Sequence, residues 1–231
     1  MQNKTTSFFL LLATFIAQFV YASDSLVTNP DPLRYKNEIE TFKLWDQKNS
    51  VPENAILFTG SSSIRMWKTH LAFPQYPVIN RGFGGAHISD VIYYYNQVIL
   101  KYNPALIVFY CGDNDIAGDK PVKQVFDDYL TLITKIETDL SGVSFVFISV
   151  KPSGSRWDYW EKMNMLNEQI KKYNQQQDNL YYIDLASPLL DSNGKPDNTL
   201  FLDDRLHLND KGYKIWNSSL HNLLKFLIDK K

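Results

Sequence analysis

Five short apolar runs, each followed by a polar segment, set the strongest constraint on how this chain folds. They are AILFTG, PVIN, ALIVFY, SFVFISV and LYYIDL, at residues 55–60, 77–80, 105–110, 144–150 and 180–185. The runs are continuous and rich in β-branched and aromatic residues, as in strands buried on both faces of a parallel sheet. Helical periodicity follows in the segments 89–101, 121–140, 158–177 and 209–229. This alternation predicts an α/β fold, a three-layer α/β/α sandwich around a five-stranded parallel sheet.

The composition agrees with one globular domain that does not bind nucleic acid. The 231 residues are 44% hydrophobic and 14% aromatic, which is too apolar for a disordered chain. Lys and Arg number 24 and Asp and Glu 25, so the net charge is −1 and no basic surface for nucleic acid is expected. Cys111 is the only cysteine, which excludes an internal disulfide.

The N-terminal residues have the pattern of a secretory signal peptide. Lys4 precedes an apolar run at residues 8–20, and the small residue Ala22 completes a V-x-A cleavage pattern. The run is shorter than the roughly 20 residues that a membrane-spanning helix needs. We therefore predict a leader at residues 1–22, a mature domain at 23–231 and a periplasmic or secreted location, without stable membrane insertion after cleavage.

The polar segments after the runs are expected to meet at one edge of the sheet. GSSS follows the first run, NRGFGGAH the second, CGDND the third and KPSGSRW the fourth. In open parallel sheets, ligands bind beyond the carboxyl ends of the strands. The sequence therefore predicts one functional site formed by these loops.

A serine in the first of these segments and a histidine near the C-terminus suggest nucleophilic catalysis. Ser62 stands at a strand-to-helix transition, where a serine acts as a nucleophile or simply caps the helix. Asp204 and His207 are three positions apart, so their side chains can face the same way. The carboxylate would then hold the imidazole in the tautomer that accepts a serine proton. An incidental histidine in a polar turn is the alternative for this segment.

Two further positions could stabilise an oxyanion. Asn114 follows the third run and offers a side-chain amide, while Gly85 follows the second and permits a close backbone approach. An ordinary tight turn is the alternative explanation for either one. The occurrence of all these residues at the ends of successive strands favours a catalytic site.

With these residues in order, the chain resembles the GDSL, or SGNH, hydrolases. The four blocks of that family match residues 60–63, Gly85, 112–115 and 204–207, which together extend over most of the chain. Ser61 replaces the aspartate of the family's name, as in the branch with a GSSSI block.

The resemblance implies a flavodoxin-like fold and a serine esterase that uses neither cofactor nor metal. It implies Ser62 as the nucleophile, His207 as the base and Asp204 as its orienting partner. The implied oxyanion hole consists of the main-chain N–H groups of Ser62 and Gly85 together with the side chain of Asn114.

The same residues allow several alternative functions. An α/β-hydrolase needs G-x-S-x-G, but the fifth position here is Ile64. A metal-dependent phosphoesterase would draw its ligands from Asp113, Asp115, Asp203, Asp204 and His207. A non-catalytic carbohydrate-binding module on the same fold is a further alternative, and Cys111 at a strand end is more typical of packing than of a nucleophile.

The substrate is predicted from the loop residues. Arg156 and Trp157 are candidate substrate contacts, because aromatic faces and a charged donor suit a polar alcohol such as a sugar. His87, two residues after Gly85, is a further candidate contact, with a histidine in an exposed loop as the alternative. The chain lacks a separate lid segment, which favours short acyl groups. The prediction is hydrolysis of short-chain acyl, especially acetyl, esters of a carbohydrate or similar small molecule, with a lysophospholipase or lipase as the alternative.

Overall fold

The structure is a computed structural model that describes residues 26–229. The leader predicted at residues 1–22 lies outside the described residues, and its cleavage and the export of the protein stay predictions. Among the residues described, no helix has both the length and the apolar character needed to cross a bilayer.

Each of the five apolar runs forms a strand of one parallel sheet. The strands are β1 Ile56–Gly60, β2 Val78–Gly82, β3 Leu106–Tyr110, β4 Ser144–Ile148 and β5 Leu180–Ile183. Their order is β2-β1-β3-β4-β5, and every pairing is parallel. This is the strand order of flavodoxin-like folds, and the five-stranded parallel sheet predicted from the sequence is confirmed.

Helices connect the strands and cover both faces of the sheet. They are α1 Lys36–Lys48, α2 Ser62–Arg65, α3 Thr69–Ala72, α4 Ile88–Tyr93, α5 Tyr95–Val98, α6 Asp113–Ala117, α7 Val122–Asp139, α8 Trp160–Asn174 and α9 Asp210–Asp229. Short 3-10 turns occur at Pro32–Tyr35, Leu100–Tyr102, Gly154–Tyr159, Ser187–Leu189 and Asn198–Leu200.

Two hydrophobic clusters, one on each face of the sheet, make up the core. Leu57 and Ile107 belong to the cluster that includes buried residues of α1, α4, α5, α7 and α8. Phe58 and Val108, the next residues on the same strands, belong to the cluster that includes Trp216 and other buried residues of α9. Successive side chains of a strand point to opposite faces, so the sheet is buried on both sides. The three-layer α/β/α sandwich is confirmed.

One predicted helix is interrupted. The segment 89–101 forms α4, α5 and a 3-10 turn, with breaks at Tyr94 and Ile99, whose φ/ψ angles are −94°/17° and −130°/−69°. The segment is rich in tyrosine, valine and isoleucine, which have low helix propensity. The Tyr94 hydroxyl also donates to the carbonyl of Pro32 at 3.0 Å. Tertiary contacts therefore outweigh the helical periodicity here.

Gly60 ends β1 where the backbones of β1 and β3 approach each other closely. Its φ is +128°, and an added Cβ would lie 1.9 Å from the carbonyl oxygen of Tyr110. The next N–H, that of Ser61, donates to the same oxygen at 2.9 Å. Glycine thus lets β1 remain beside β3 while the chain turns towards α2.

Replacing Gly60 with Ala should lower the free energy of unfolding by about 3 kcal/mol or more, because overpacking adds to backbone strain. Gly194 provides the matched control, since its φ is +69° but an added Cβ meets no atom within 4 Å. Gly194→Ala should therefore cost only about 1–2 kcal/mol. Urea unfolding measures both variants, and equal losses would contradict the importance of the close approach.

Candidate active site

Ser62 is the first residue of α2, directly beyond the end of β1. The carbonyl of Ser61 accepts hydrogen bonds from the N–H groups of Ile64 and Arg65 at 3.0 and 3.1 Å, which closes the first turn. Asn80 of β2 fixes the other end of this turn by donating to the carbonyl of Ile64 at 2.7 Å. The side chain of Ser62 is thereby held at the carboxyl edge of the sheet.

Ser62, His207 and Asp204 form a continuous chain of hydrogen-bonding groups. His207 Nε2 lies 2.9 Å from Ser62 Oγ, and His207 Nδ1 lies 2.6 Å from Asp204 Oδ2. An ionised carboxylate only accepts hydrogen bonds, so Nδ1 carries the proton and Nε2 is free to accept from the serine hydroxyl. The structure thus brings together the three residues predicted from the sequence as a catalytic triad.

The Asp204 carboxylate is fixed by three hydrogen bonds. Its Oδ1 accepts from the main-chain N–H groups of Leu206 and His207, both at 2.9 Å, in addition to the bond between Oδ2 and the imidazole. Partial burial raises the pKa of Asp204, but the hydrogen bonds from His207 and Leu206 outweigh it and lower the pKa to about 2. The carboxylate is therefore ionised at neutral pH.

The loop that carries this pair is closed by its own backbone. Leu202 N–H donates to the His207 carbonyl at 2.8 Å, and Phe201 and Leu208 form an antiparallel bridge. Asn209 then begins α9, because its Oδ1 accepts from the N–H groups of residues 211 and 212. Asn209 thus caps the helix and fixes the chain two residues after the histidine.

The predicted oxyanion donors include two main-chain N–H groups without a partner. Within the described part of the chain, neither the N–H of Ser62 nor that of Gly85 donates a hydrogen bond to another group. Gly85 has a φ of +74°, a conformation that glycine adopts without strain, and it is exposed. Both groups therefore remain available to a ligand.

Asn114 lies on α6, next to the loop of Gly85. Its Nδ2 donates to the carbonyl of Ala86 at 3.0 Å, and its Oδ1 accepts from Arg156 Nη2 at 2.9 Å. A side-chain amide has two N–H donors, so one donor of Asn114 remains after the bond to Ala86. The structure thus brings Asn114 beside the Gly85 loop, as predicted.

Residues that follow β3 hold the segment after Gly85 in place. Asp115 accepts from the N–H of Ile88 at 3.2 Å, and the Cys111 thiol donates to the Ala86 carbonyl at 3.1 Å. Burial raises the pKa of Cys111 well above its ordinary value. A buried, protonated thiol engaged with the backbone fits the packing role expected for this cysteine.

The three predicted substrate contacts lie in different surroundings. The guanidinium of Arg156 faces Asp113 and Asn114, and its side chain is 19% exposed. Trp157 is half-buried, with its ring stacked on Trp160 at 6.1 Å between centroids. Their contacts with substrate stay predictions.

His87 is more enclosed than the exposed loop position expected from the sequence. Its side chain is 12% exposed, and Nδ1 lies 3.6 Å from Asp115 Oδ1. Burial and the nearby charge of Lys120 lower the pKa of His87 to about 4. The imidazole is therefore neutral at physiological pH, and its contact with substrate stays a prediction.

Sequence reasoning missed a buried group of charges beneath the site. Asp113 Oδ2 lies 3.0 Å from Arg156 Nη1 and 3.9 Å from Lys151 Nζ. Burial lowers the pKa of Lys151 to about 8, against the opposing attraction of Asp113. The signals in the sequence are a lysine directly after the apolar run 144–150 and an aspartate directly before Asn114, each following a predicted strand.

The ligand group considered for a metal-dependent phosphoesterase is not formed by the described residues. Across residues 26–229, no three His, Cys, Asp or Glu side chains are grouped so that they could hold a metal ion. Asp113 instead pairs with Arg156, and Asp115 pairs with Lys120 at 2.9 Å.

Comparison with known protein families gives one match. The profile of the GDSL-like lipase/acylhydrolase family matches residues 59–215, well over half of the chain. The matched segment contains Ser62, Gly85, Asn114, Asp204 and His207. A search of curated protein sequences found no match.

Solved structures with the same fold include esterases and lipases. A protein from Streptococcus pneumonia assigned as a platelet activating factor has a TM-score of 0.74 and 21% identity, covering 83% of this chain and 94% of its own. A GDSL-like lipase from Bacteroides thetaiotaomicron has a TM-score of 0.69 and 20% identity, covering 84% and 97%. A catalytic mutant of an acetylxylan esterase from Geobacillus stearothermophilus has a TM-score of 0.60 and 12% identity, covering 74% and 93%. These likenesses show the fold.

The depressed pKa of Lys151 predicts a dependence of stability on pH. The unfolded chain keeps the lysine proton up to about pH 10, whereas the folded chain releases it near pH 8. Between these values the unfolded state binds more protons, so raising the pH favours the folded state. The free energy of unfolding of the wild type, minus that of Lys151→Met, should therefore increase between about pH 8 and pH 10.

Lys162 provides the control, because it is an exposed lysine on α8. The corresponding difference for Lys162→Met should stay level over the same range. Urea unfolding at several pH values measures both differences. A level or falling difference for Lys151→Met would show that its ammonium group is not destabilised by burial.

Proposed function

Because the chain belongs to the GDSL-like lipase/acylhydrolase family, we propose that it is a serine esterase that hydrolyses carboxylic esters through an acyl-enzyme on Ser62. The observation that carries this proposal is the hydrogen-bonded chain from Ser62 Oγ through His207 to Asp204, with separations of 2.9 and 2.6 Å. A hydroxyl, a base within reach and a group that orients the base are the parts that nucleophilic catalysis requires.

Acylation begins when His207 Nε2 takes the proton of Ser62 and Ser62 Oγ attacks the ester carbonyl carbon. The carbonyl oxygen becomes an oxyanion, which accepts hydrogen bonds from the N–H groups of Ser62 and Gly85 and from the free N–H of Asn114 Nδ2. The tetrahedral intermediate then expels the alcohol, which takes the proton from His207. Asp204 stays ionised throughout and stabilises the imidazolium.

Deacylation repeats these steps with water. His207 removes a proton from the water as it attacks the acyl carbon, and the same donors stabilise the second oxyanion. Collapse of this intermediate returns the proton to Ser62 Oγ and releases the acid. The imidazole accepts a proton in both half-reactions, so it must be neutral at the start of each.

We propose short acyl groups, with acetyl foremost, as the acyl portion and a carbohydrate or similar polar molecule as the alcohol. The fold of the acetylxylan esterase from Geobacillus stearothermophilus supports this choice. Trp157 adds a half-buried aromatic face on the loop beside Arg156, and aromatic faces suit sugar rings. The proposed export would give the protein access to such extracellular esters.

A lysophospholipase or lipase activity is the second candidate, because residues close in the chain to Ser62 and His207 line a partly apolar groove. The groove has a volume of about 520 Å³ and is lined in part by Met66, Leu71, Leu202 and Leu208. Met66 follows the helix that begins with Ser62, and Leu208 follows the catalytic histidine directly in the chain. Each buried CH₂ of an acyl chain contributes about 0.8 kcal/mol, so a groove of this kind would favour long acyl groups.

Ser62→Ala should reduce kcat for p-nitrophenyl acetate by at least about a thousandfold, because the nucleophile is removed. Ser61→Ala and Ser63→Ala are matched controls, since both serines are buried and neither side chain contacts His207. They should keep measurable turnover. Ordinary activity in a folded Ser62→Ala variant would contradict the proposed mechanism.

The two substrate candidates differ in how activity depends on acyl length. For a short-acyl esterase, kcat/KM should fall steadily from p-nitrophenyl acetate to the octanoate. Leu202→Asp, which places a charge in the groove at an exposed position, should then change acetate hydrolysis by less than about twofold. Octanoate as the best substrate, with a selective loss in Leu202→Asp, would replace this proposal by the lipase candidate.

Acetylated sugars test the alcohol portion in the same assay. Trp157→Ala should reduce kcat/KM for an acetylated xylooligosaccharide more than for ethyl acetate, because ethyl acetate has neither a sugar nor an aromatic ring that could stack on Trp157. An equal reduction for both would show that Trp157 supports the loop rather than the sugar.

A further inference from the structure

Arg156 bridges two residues of α6 from a distant part of the chain. It lies in the 3-10 turn Gly154–Tyr159, which follows β4. Its Nη2 donates to Asn114 Oδ1 at 2.9 Å, and its Nη1 lies 3.0 Å from Asp113 Oδ2. The guanidinium is a planar fork of fixed geometry, so these two contacts define its orientation.

These contacts also define which way the Asn114 amide points. In the observed orientation Oδ1 accepts from Arg156, and Nδ2 donates to the carbonyl of Ala86 at 3.0 Å. Rotating the amide by half a turn would set its N–H₂ group against the guanidinium and its oxygen against the carbonyl. Two donors would then face each other at Arg156, and two acceptors at Ala86. Arg156 and Ala86 together therefore permit one orientation, which leaves one N–H of Nδ2 available.

Asp113 anchors the guanidinium from below, and the same carboxylate also pairs with Lys151. Both side chains are almost fully buried, and Lys151 Nζ lies 3.9 Å from Asp113 Oδ2. The Tyr110 ring lies 5.6 Å from the same ammonium group. A buried carboxylate is costly without cationic partners, so Asp113 holds Arg156 in place strongly.

The turn that carries Arg156 is also bonded to the triad loop. Ser155 donates to the carbonyl of Arg205 through its N–H at 3.1 Å and its hydroxyl at 3.3 Å. Arg205 follows Asp204 directly and has a φ of +53°. One short segment therefore touches both the oxyanion donor and the loop that carries Asp204 and His207.

We propose that Arg156 is a positioning residue that orients the Asn114 amide towards the oxyanion and joins the oxyanion hole to the triad loop. This inference rests on the proposed esterase function. Arg156 acts through Asn114, so its loss lowers the rate of the chemical step while substrate binding is kept. A residue that bound the substrate directly would instead change KM, and its effect would be independent of Asn114.

The test compares Arg156→Gln, Arg156→Lys, Asn114→Ala and the double variant Arg156→Gln/Asn114→Ala with p-nitrophenyl acetate. We expect Asn114→Ala to lower kcat by about a hundredfold to a thousandfold. Arg156→Gln should lower kcat by about tenfold to a hundredfold, with KM changed by less than about twofold. In the Asn114→Ala background, Arg156→Gln should lower kcat by less than about a further threefold, because the amide that Arg156 orients is absent.

Arg156→Lys separates orientation from charge. Lysine keeps the positive charge beside Asp113 but lacks the fork that reaches Asn114 as well, so its kcat should resemble that of Arg156→Gln. Lys162→Gln is the matched control for loss of a positive charge, since Lys162 is exposed on the following helix. Its kcat and KM should equal those of the wild type.

If the wild type is an active esterase, three results would overturn the inference about Arg156. They are a rise in KM with unchanged kcat in Arg156→Gln, fully multiplicative effects in the double variant, and loss of folding in both Arg156 variants by circular dichroism. Absence of esterase activity in the wild type, together with absence of labelling by a fluorophosphonate, would instead refute the proposed function itself.

Discussion

The parallel pairing of β1 with β2 on one side and β3 on the other is the constraint on which the site depends. Its register sets Gly60 opposite both Gly82 and Tyr110, so three loops leave the sheet at the same level. Those loops carry Ser62 and the two other proposed oxyanion donors, Gly85 and Asn114. Because main-chain hydrogen bonds fix the strands, the sheet sets where each of these loops begins.

Buried charges extend this arrangement to the loops that the sheet does not hold. Beneath the site, Asp113 pairs with both Arg156 and Lys151. Ser155, which precedes Arg156, donates a hydrogen bond to the carbonyl of Arg205. Burying such groups costs free energy that pairing largely offsets, so ion pairs of this kind add little net stability. These contacts instead determine geometry. They fix the positions of α6, the turn after β4 and the loop before α9 relative to one another.

The sequence predicted the sheet and the grouping of Ser62, Asp204 and His207, because strand patterns and short spacings report on local structure. It failed where a side chain's direction depends on distant partners. His87 was expected in an exposed loop, but its imidazole is enclosed beside Asp115. Arg156 was predicted as a substrate contact, which stays a prediction, but the contacts of its guanidinium with a carboxylate and an amide far away in the sequence were not predicted. No local pattern contains that information.

In the proposed mechanism, His207 activates Ser62 as a nucleophile. Labelling with a fluorophosphonate, followed by peptide mass spectrometry, tests this directly because the reagent traps an activated serine. We expect a single adduct on Ser62, formed at least about a hundredfold more slowly in a folded His207→Ala variant, which lacks the general base. An adduct on any other residue, or an equal labelling rate in His207→Ala, would contradict the claim.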